Sequence, residues 1–103
     1  MKFEIDVKKH KLTKFQWRVL ELTFTIPLGE TRTYQWVAKQ LGKPGAVRAV
    51  GNALRRNPYP LIIPCHRVVK SNGDVGGYEG GSPLRKIALL ELEKQIADEF
   101  KNL

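Results

Sequence analysis

The sequence predicts a single small α+β domain, in which a helix-turn-helix and flanking core helices surround a short strand pair carrying the one cysteine, Cys65. Chain length is the first observation behind this: 103 residues leave room for one core, which would bury about 60–70% of the unfolded surface. Periodicity is the second, because apolar residues recur at helical intervals in three separate stretches. The third is "LIIPCHRVV", Leu61 to Val69, an apolar run bounded by turn residues that reads as a buried strand. The expected division is a leading segment over 1–12, the helix-turn-helix over 33–57, the strand over 61–69 and a C-terminal helix over 82–100.

The elements follow in order. "FEIDV" (Phe3 to Val7) alternates apolar and charged residues with period two, as a half-buried strand does. In "TKFQ" Thr13 and Gln16 have capping-box spacing and open the first helix. Phe15, Val19, Leu22 and Ile26 give that helix a core stripe, widened by Trp17, Leu20 and Phe24, until Pro27 and Gly29 stop it. Thr33 caps a short second helix with Tyr34, Val37, Ala38 and Leu41 on one face. Gly42 suits the left-handed position that ends it, and Pro44 suits the first turn of a third helix running to about Arg56. In that third helix Val47, Val50 and Leu54 point inward, while Arg48, Asn52, Arg55 and Arg56 point outward. After the strand, "KSNGD" is a turn and "VGGYEGGS" a glycine-rich loop. Ser82 and Pro83 then open a last helix, which is expected to cover the core with Leu84, Ile87, Ala88, Leu92 and Ile96 and to hold Glu93 on the border of its apolar face.

Composition narrows the function. Eighteen Lys and Arg against ten Asp and Glu give a net charge of +8, which favours a polyanionic partner, nucleic acid first among them. No apolar run reaches membrane-spanning length and no secretory leader is visible, so the expectation is an intracellular, cytoplasmic protein without a membrane partner. One cysteine excludes an internal disulfide, and with two histidines it makes a poor zinc site, so no metal is expected. Two short helices joined by a Gly-containing turn suit a duplex-binding helix-turn-helix. The second helix is unusual for a major-groove reader. Gly45, Ala46, Ala49, Gly51 and Ala53 leave its surface bare around Arg48, which fits approach to a minor groove with one long cation able to enter the base stack. The alternative is that these small residues only let two helices pack closely.

Cys65 is either a buried small hydrophobe or a reagent. Pro64 lacks an N–H and must bend the chain just before the thiol. His66 is adjacent, although in a regular strand neighbouring side chains diverge, so a relay between them needs a kink or a water. With an acid such as Glu93 to orient the imidazole, the thiol could lose its proton and attack carbon.

"PCHRVV", preceded by "RAVGNALRRNP" and followed by "GGYEGG" and "LLELE", closely resembles the active-site domain of the O6-alkylguanine-DNA alkyltransferases, over roughly Thr13 to Glu93. The resemblance implies a one-shot repair protein that binds double-stranded DNA through the helix-turn-helix, flips out O6-alkylguanine and accepts its alkyl group irreversibly, with no cofactor. It makes Cys65 the acceptor, His66 the water-linked base, Glu93 the orienting acid and Asn57 the amide bracing the nearby turn. Arg48 becomes the finger that fills the gap left by the flipped base, and Tyr34 the tyrosine that contacts the guanine and crowds its phosphate. Ala49, Asn52, Arg55 and Arg56 complete the DNA-facing set. Val68, Ser71, Tyr78 and the backbone at Glu79 fall where the family builds its pocket, and Lys86 matches a basic position of the last helix if one residue is inserted after Gly81. Most members carry a sizeable domain ahead of this one, which suggests another protein chain as a partner that could steady the domain. The rival functions are a non-catalytic lesion-recognition protein of the alkyltransferase-like kind, which carries tryptophan where this chain has Cys65, and a small helix-turn-helix regulator.

Overall fold

Residues 11–72 and 83–103 are described by the computed structural model. The first helix, α1 (Lys14–Phe24), begins at the expected capping box. Thr13 Oγ1 accepts the Gln16 N–H at 3.1 Å, and the Thr13 N–H donates to Gln16 Oε1 at 3.0 Å. The helix buries Val19, Leu20 and Thr23, whose hydroxyl donates back to the Val19 carbonyl at 2.8 Å. Phe24 is the exception to the expected stripe, since it is largely exposed. Beyond the helix Ile26 returns to the core, and Gly29 takes φ +83° at a close approach, where a Cβ would stand 2.7 Å from the Ala97 methyl.

Arg32–Thr33 forms β1, a two-residue strand that periodicity does not reveal. It pairs in parallel with β2 (Val68–Val69), in the register Arg32 to Val68 and Thr33 to Val69. Parallel neighbours need a long crossover. Here the crossover contains α2 (Tyr34–Gln40), α3 (Val47–Arg55) and the Cys65 segment. Thr33 caps α2 by accepting the Trp36 N–H at 2.9 Å. At its far end Gly42 takes φ +73°, with Gly42 N–H bonded to the Lys39 carbonyl and Lys43 N–H to the Ala38 carbonyl, the paired bonds that close a helix C-terminus. The third helix starts later than Pro44 suggests: Pro44 lies in the preceding turn, and Ala46 stands at the N-cap without a side-chain bond. Val50, Ala53 and Leu54 pack inward against α1 and α2, while Arg48, Ala49, Asn52 and Arg55 face outward.

Two further sequence expectations are corrected. Leu61–Val69 is not one buried strand: Leu61 and Ile62 are 59% and 69% exposed, Leu61 has φ +79°, and Cys65–Arg67 is a turn of 3-10 helix. Pro64 explains the break, since it supplies no N–H to continue a ladder, and its carbonyl instead accepts the Arg67 N–H at 2.9 Å. The last helix, α4 (Pro83–Lys101), also turns an unexpected face inward. Leu84, Ile87, Ala88, Leu92 and Ile96 are exposed, whereas Lys86 and Glu93 are buried. The expected strand Phe3–Val7 and the glycine-rich loop Val75–Ser82 lie outside the described residues. Among the described residues no helix is long and apolar enough to cross a membrane.

Candidate active site

The site is built where the helix-turn-helix meets the 3-10 turn. Asn57, just past α3, is buried and spends its amide on the backbone: its Nδ2 donates to the Ile63 carbonyl at 2.8 Å, and its Oδ1 accepts the Tyr59 N–H at 2.9 Å. That fixes the bend from Tyr59 to Ile63 and hence the entry into Cys65, whose N–H reaches the Ile63 carbonyl at 2.8 Å. An aspartate at 57 would lack the donor, and an apolar residue would lack both functions.

In a 3-10 turn successive side chains diverge by about 120°. Cys65, 5% exposed, lines a cleft of about 740 Å³, while His66, 1% exposed, turns below it toward α4. From the helices Tyr34, Arg48, Asn52 and Arg55 line the cleft, and from the segment after β2 so do Lys70, Ser71 and Asn72. His66 Nε2 lies 2.9 Å from Glu93 Oε2. Arg67 grips the same carboxylate at both oxygens, Nε to Oε1 at 2.9 Å and Nη2 to Oε2 at 2.6 Å, and its Nη1 donates to the Ile26 carbonyl at 2.7 Å. Burial pushes the Glu93 pKa up, but the hydrogen bonds and charges of Arg67 and His66 outweigh it and hold the carboxyl below its usual range. Glu93 is therefore a carboxylate through the neutral range.

Two further titratable groups respond to Cys65. Burial, then the Cys65 charge, raise the Tyr34 pKa against a smaller opposing effect of Arg55, so the phenol keeps its proton and remains a donor. Lys86 is fully buried. Its Nζ donates to the Val68 carbonyl at 2.7 Å and sits 5.7 Å from the centre of the Tyr34 ring. Burial lowers its pKa to about 8, with Cys65 acting in the opposite sense, which leaves it mostly charged at pH 7.

The structure thus brings together Cys65, His66, Glu93, Asn57, Tyr34, Lys86 and the cleft residues Arg48, Asn52, Arg55 and Ser71. Val68 is fully buried and offers the site its carbonyl rather than a wall of the cleft. Ala49 and Arg56 are exposed but do not line the cleft. Tyr78 and Glu79 lie outside the described residues. Reading from sequence missed Arg67, Lys70 and Asn72. For Arg67 the only signal is that an arginine set among apolar residues needs a carboxylate beneath it; Glu93 was assigned to His66 alone, and its second partner was not foreseen.

Comparison with known proteins agrees with this geometry. The family model described as the DNA-binding domain of 6-O-methylguanine DNA methyltransferase matches residues 14–95. The methylated-DNA–protein-cysteine methyltransferase of Mycobacterium leprae is 56% identical over 82 residues, which cover 80% of this chain and 49% of that protein. The crystal structure of Mycobacterium tuberculosis OGT in complex with DNA is similar with a TM-score of 0.79 and 53% identity, over 82% of this chain and 52% of that one. The S. pombe Atl1 structure, in complex with damaged DNA containing O6-carboxymethylguanine, is similar with a TM-score of 0.68 and 30% identity, over 81% of this chain and 78% of that one. The chain spans about half the length of the curated methyltransferases it matches. With a matched region running through both the helix-turn-helix and the Cys65 cluster, the chain belongs to the 6-O-methylguanine DNA methyltransferase family, through that family's DNA-binding domain.

Proposed function

We propose that this chain repairs DNA by moving an alkyl group, methyl in the simplest case, from O6 of guanine to Cys65, once per molecule. The observation that carries this reading is a cysteine lining the cleft beside α3, with a histidine and an ionised carboxylate stacked behind it. A lesion at O6 sits inside the duplex, so the base must be extruded, at a cost of about a few kcal/mol that is smaller for a mispaired base. Arg48, exposed on the bare surface of α3, fills the gap and offsets part of that cost. Asn52, Arg55, Arg56 and Ala49 face the same duplex.

In the transfer the Cys65 thiol gives its proton through a water to His66, and Glu93 stabilises the imidazolium. Sulfur then attacks the alkyl carbon in line, the carbon–O6 bond breaks as the carbon–sulfur bond forms, and the electron pair leaves on guanine. The departing base takes a proton, for which the Tyr34 hydroxyl is the donor. Asn57 braces the turn, Val68 and Lys86 hold the floor beneath it, and Ser71 lines the cleft that takes the base; the family resemblance adds Tyr78 and Glu79 to that pocket. No step calls for a cofactor or metal. A protein acting on chromosomal lesions works inside the cell, with the DNA, and a cytoplasmic location belongs to this proposal. Residues 1–103 are proposed to act as one unit, with its DNA-binding part over 33–57.

The likeness to Atl1, which extends over most of that shorter protein, favours a second reading, a lesion-recognition protein without transfer. One experiment decides between them. Incubation with an oligonucleotide containing O6-methylguanine should add one methyl group to the intact protein, on Cys65, without turnover, and Cys65→Ala should bind the DNA and gain nothing. Binding without a mass change would establish the second reading, and a methyl group on another residue would overturn the mechanism.

A further inference from the structure

We propose that Arg67 is a positioning residue for alkyl transfer, gripping both oxygens of Glu93 so that one of them is aimed at His66. The inference rests on the reading of Cys65 as acceptor and adds to it a residue one turn position beyond the relay.

The geometry is specific. All three guanidinium nitrogens are engaged: Nε and Nη2 on the two oxygens of Glu93, and Nη1 on the Ile26 carbonyl. One planar group therefore ties together three parts of the fold, namely the end of α1, the 3-10 turn and α4. The carboxylate has two freely rotating bonds above its terminal torsion. Only a fork that meets both oxygens stops it turning away from His66 Nε2, 2.9 Å distant. A lysine would keep the charge and lose the fork.

Among the described residues the charged groups acting on Glu93 are His66 and Arg67, both from the 3-10 turn, while the end of α1 contributes only the neutral Ile26 carbonyl to the same guanidinium. Without Arg67, burial would be opposed by His66 alone, and Glu93 would take up a proton at a higher pH.

The test is single-turnover transfer from an O6-methylguanine oligonucleotide across pH 4 to 9, measured in parallel with affinity for the same DNA. Arg67→Lys should bind DNA within about twofold of the parent, yet transfer about tenfold more slowly at neutral pH, as expected for a misaimed catalytic group. Its loss of rate on the acid side should set in at a higher pH. Arg67→Met should show a larger fall and a larger displacement of the acid limb. A variant with the parent's rate and profile would overturn the inference, as would a slower variant whose profile keeps its shape, since that is what a merely structural residue gives. Should either variant fail to fold, nitrogen-15 spectra of the parent decide: the Arg67 Nε proton must exchange far more slowly than those of the exposed Arg48 and Arg55, and equal rates sink the proposal. If the parent itself transfers no methyl group, the fault lies in the proposed function. If the parent transfers and the variants match it, the fault lies here.

Discussion

Helices α3 and α4 flank the same cleft-and-turn assembly but choose their inward faces by different rules. On α3 the apolar residues Val50, Ala53 and Leu54 go in and Arg48, Asn52 and Arg55 stay out, as the hydrophobic effect alone requires. On α4 the two buried residues are Lys86 and Glu93, while Leu84, Leu92 and Phe100 are 76%, 52% and 63% exposed. Leu89, Leu90 and Ala97 are half-buried on the same inward side, so apolar contact accounts for only part of that face. What holds it is a set of polar partners in the 3-10 turn and β2: the Arg67 fork and His66 on Glu93, and the Val68 carbonyl on Lys86. The lesson is that α3 is packed by its apolar face alone and turns its polar side chains outward, whereas α4 is fixed by buried polar partners and leaves much of its apolar surface exposed.

The largest effect should come from α3. Leu54→Ala removes a side chain that is 5% exposed and leaves a hole in the core, so unfolding in urea should show a loss of about 2–5 kcal/mol. The same truncation at Leu92 should cost far less. Equal losses would erase the distinction between the two helices.

That distinction also explains how far the sequence could be read. The capping box at Thr13, the cap at Thr33, the left-handed Gly42 and the inward face of α3 all follow from local rules, and all are found. In α4 the same periodicity argument pointed to Leu84, Ile87, Ala88, Leu92 and Ile96 and failed, because it has no means of weighing a buried ion pair against an apolar stripe. The run at Leu61 failed for a related reason. Pro64 announced a bend, but apolar residues on both sides of it concealed a 3-10 turn, and β1 is too short to carry any alternation. Cys65, His66 and Glu93 were legible as a group through the motif rather than through spacing. Arg67 was not, because its role depends on a carboxylate 26 positions away.

The intermediate effect belongs to the buried face of α4 and is read against pH. The folded-state pKa of Lys86 lies at about 8, below its ordinary 10.5. Between those values the unfolded chain holds a proton that the folded chain has lost, so stability rises as pH climbs from about 8 to about 10.5. Below 8 the full burial cost is present, on the order of 3 kcal/mol. Lys86→Met should abolish that rise relative to the parent. Near pH 7 it should change stability by no more than about 2 kcal/mol in either direction, because relief from burying a charge is offset by a Val68 carbonyl left without its donor. A variant whose stability tracks the parent's between pH 8 and 10.5 would mean that Lys86 is solvated, and that α4 is not held by polar partners here.

The smallest effect is expected on the outer face of α4. Leu92, Ile96 and Phe100 succeed one another at four-residue intervals, so they form one continuous stripe along the helix, with exposures of 52%, 36% and 63%. Glutamine has nearly the helix propensity of leucine and a better one than phenylalanine, so Leu92→Gln and Phe100→Gln each exchange exposed apolar surface for polar surface without weakening the helix. Each should leave the free energy of unfolding within about 0.5 kcal/mol of the parent, and the double variant should be the sum of the two, since they touch no shared buried partner. Thermal unfolding at two protein concentrations a hundredfold apart provides the check. A loss above about 1.5 kcal/mol, or one that grows with protein concentration, would show that the stripe is covered in solution; the contrast with α3 would then be one of which surface each apolar face meets, and no longer of whether it is buried at all.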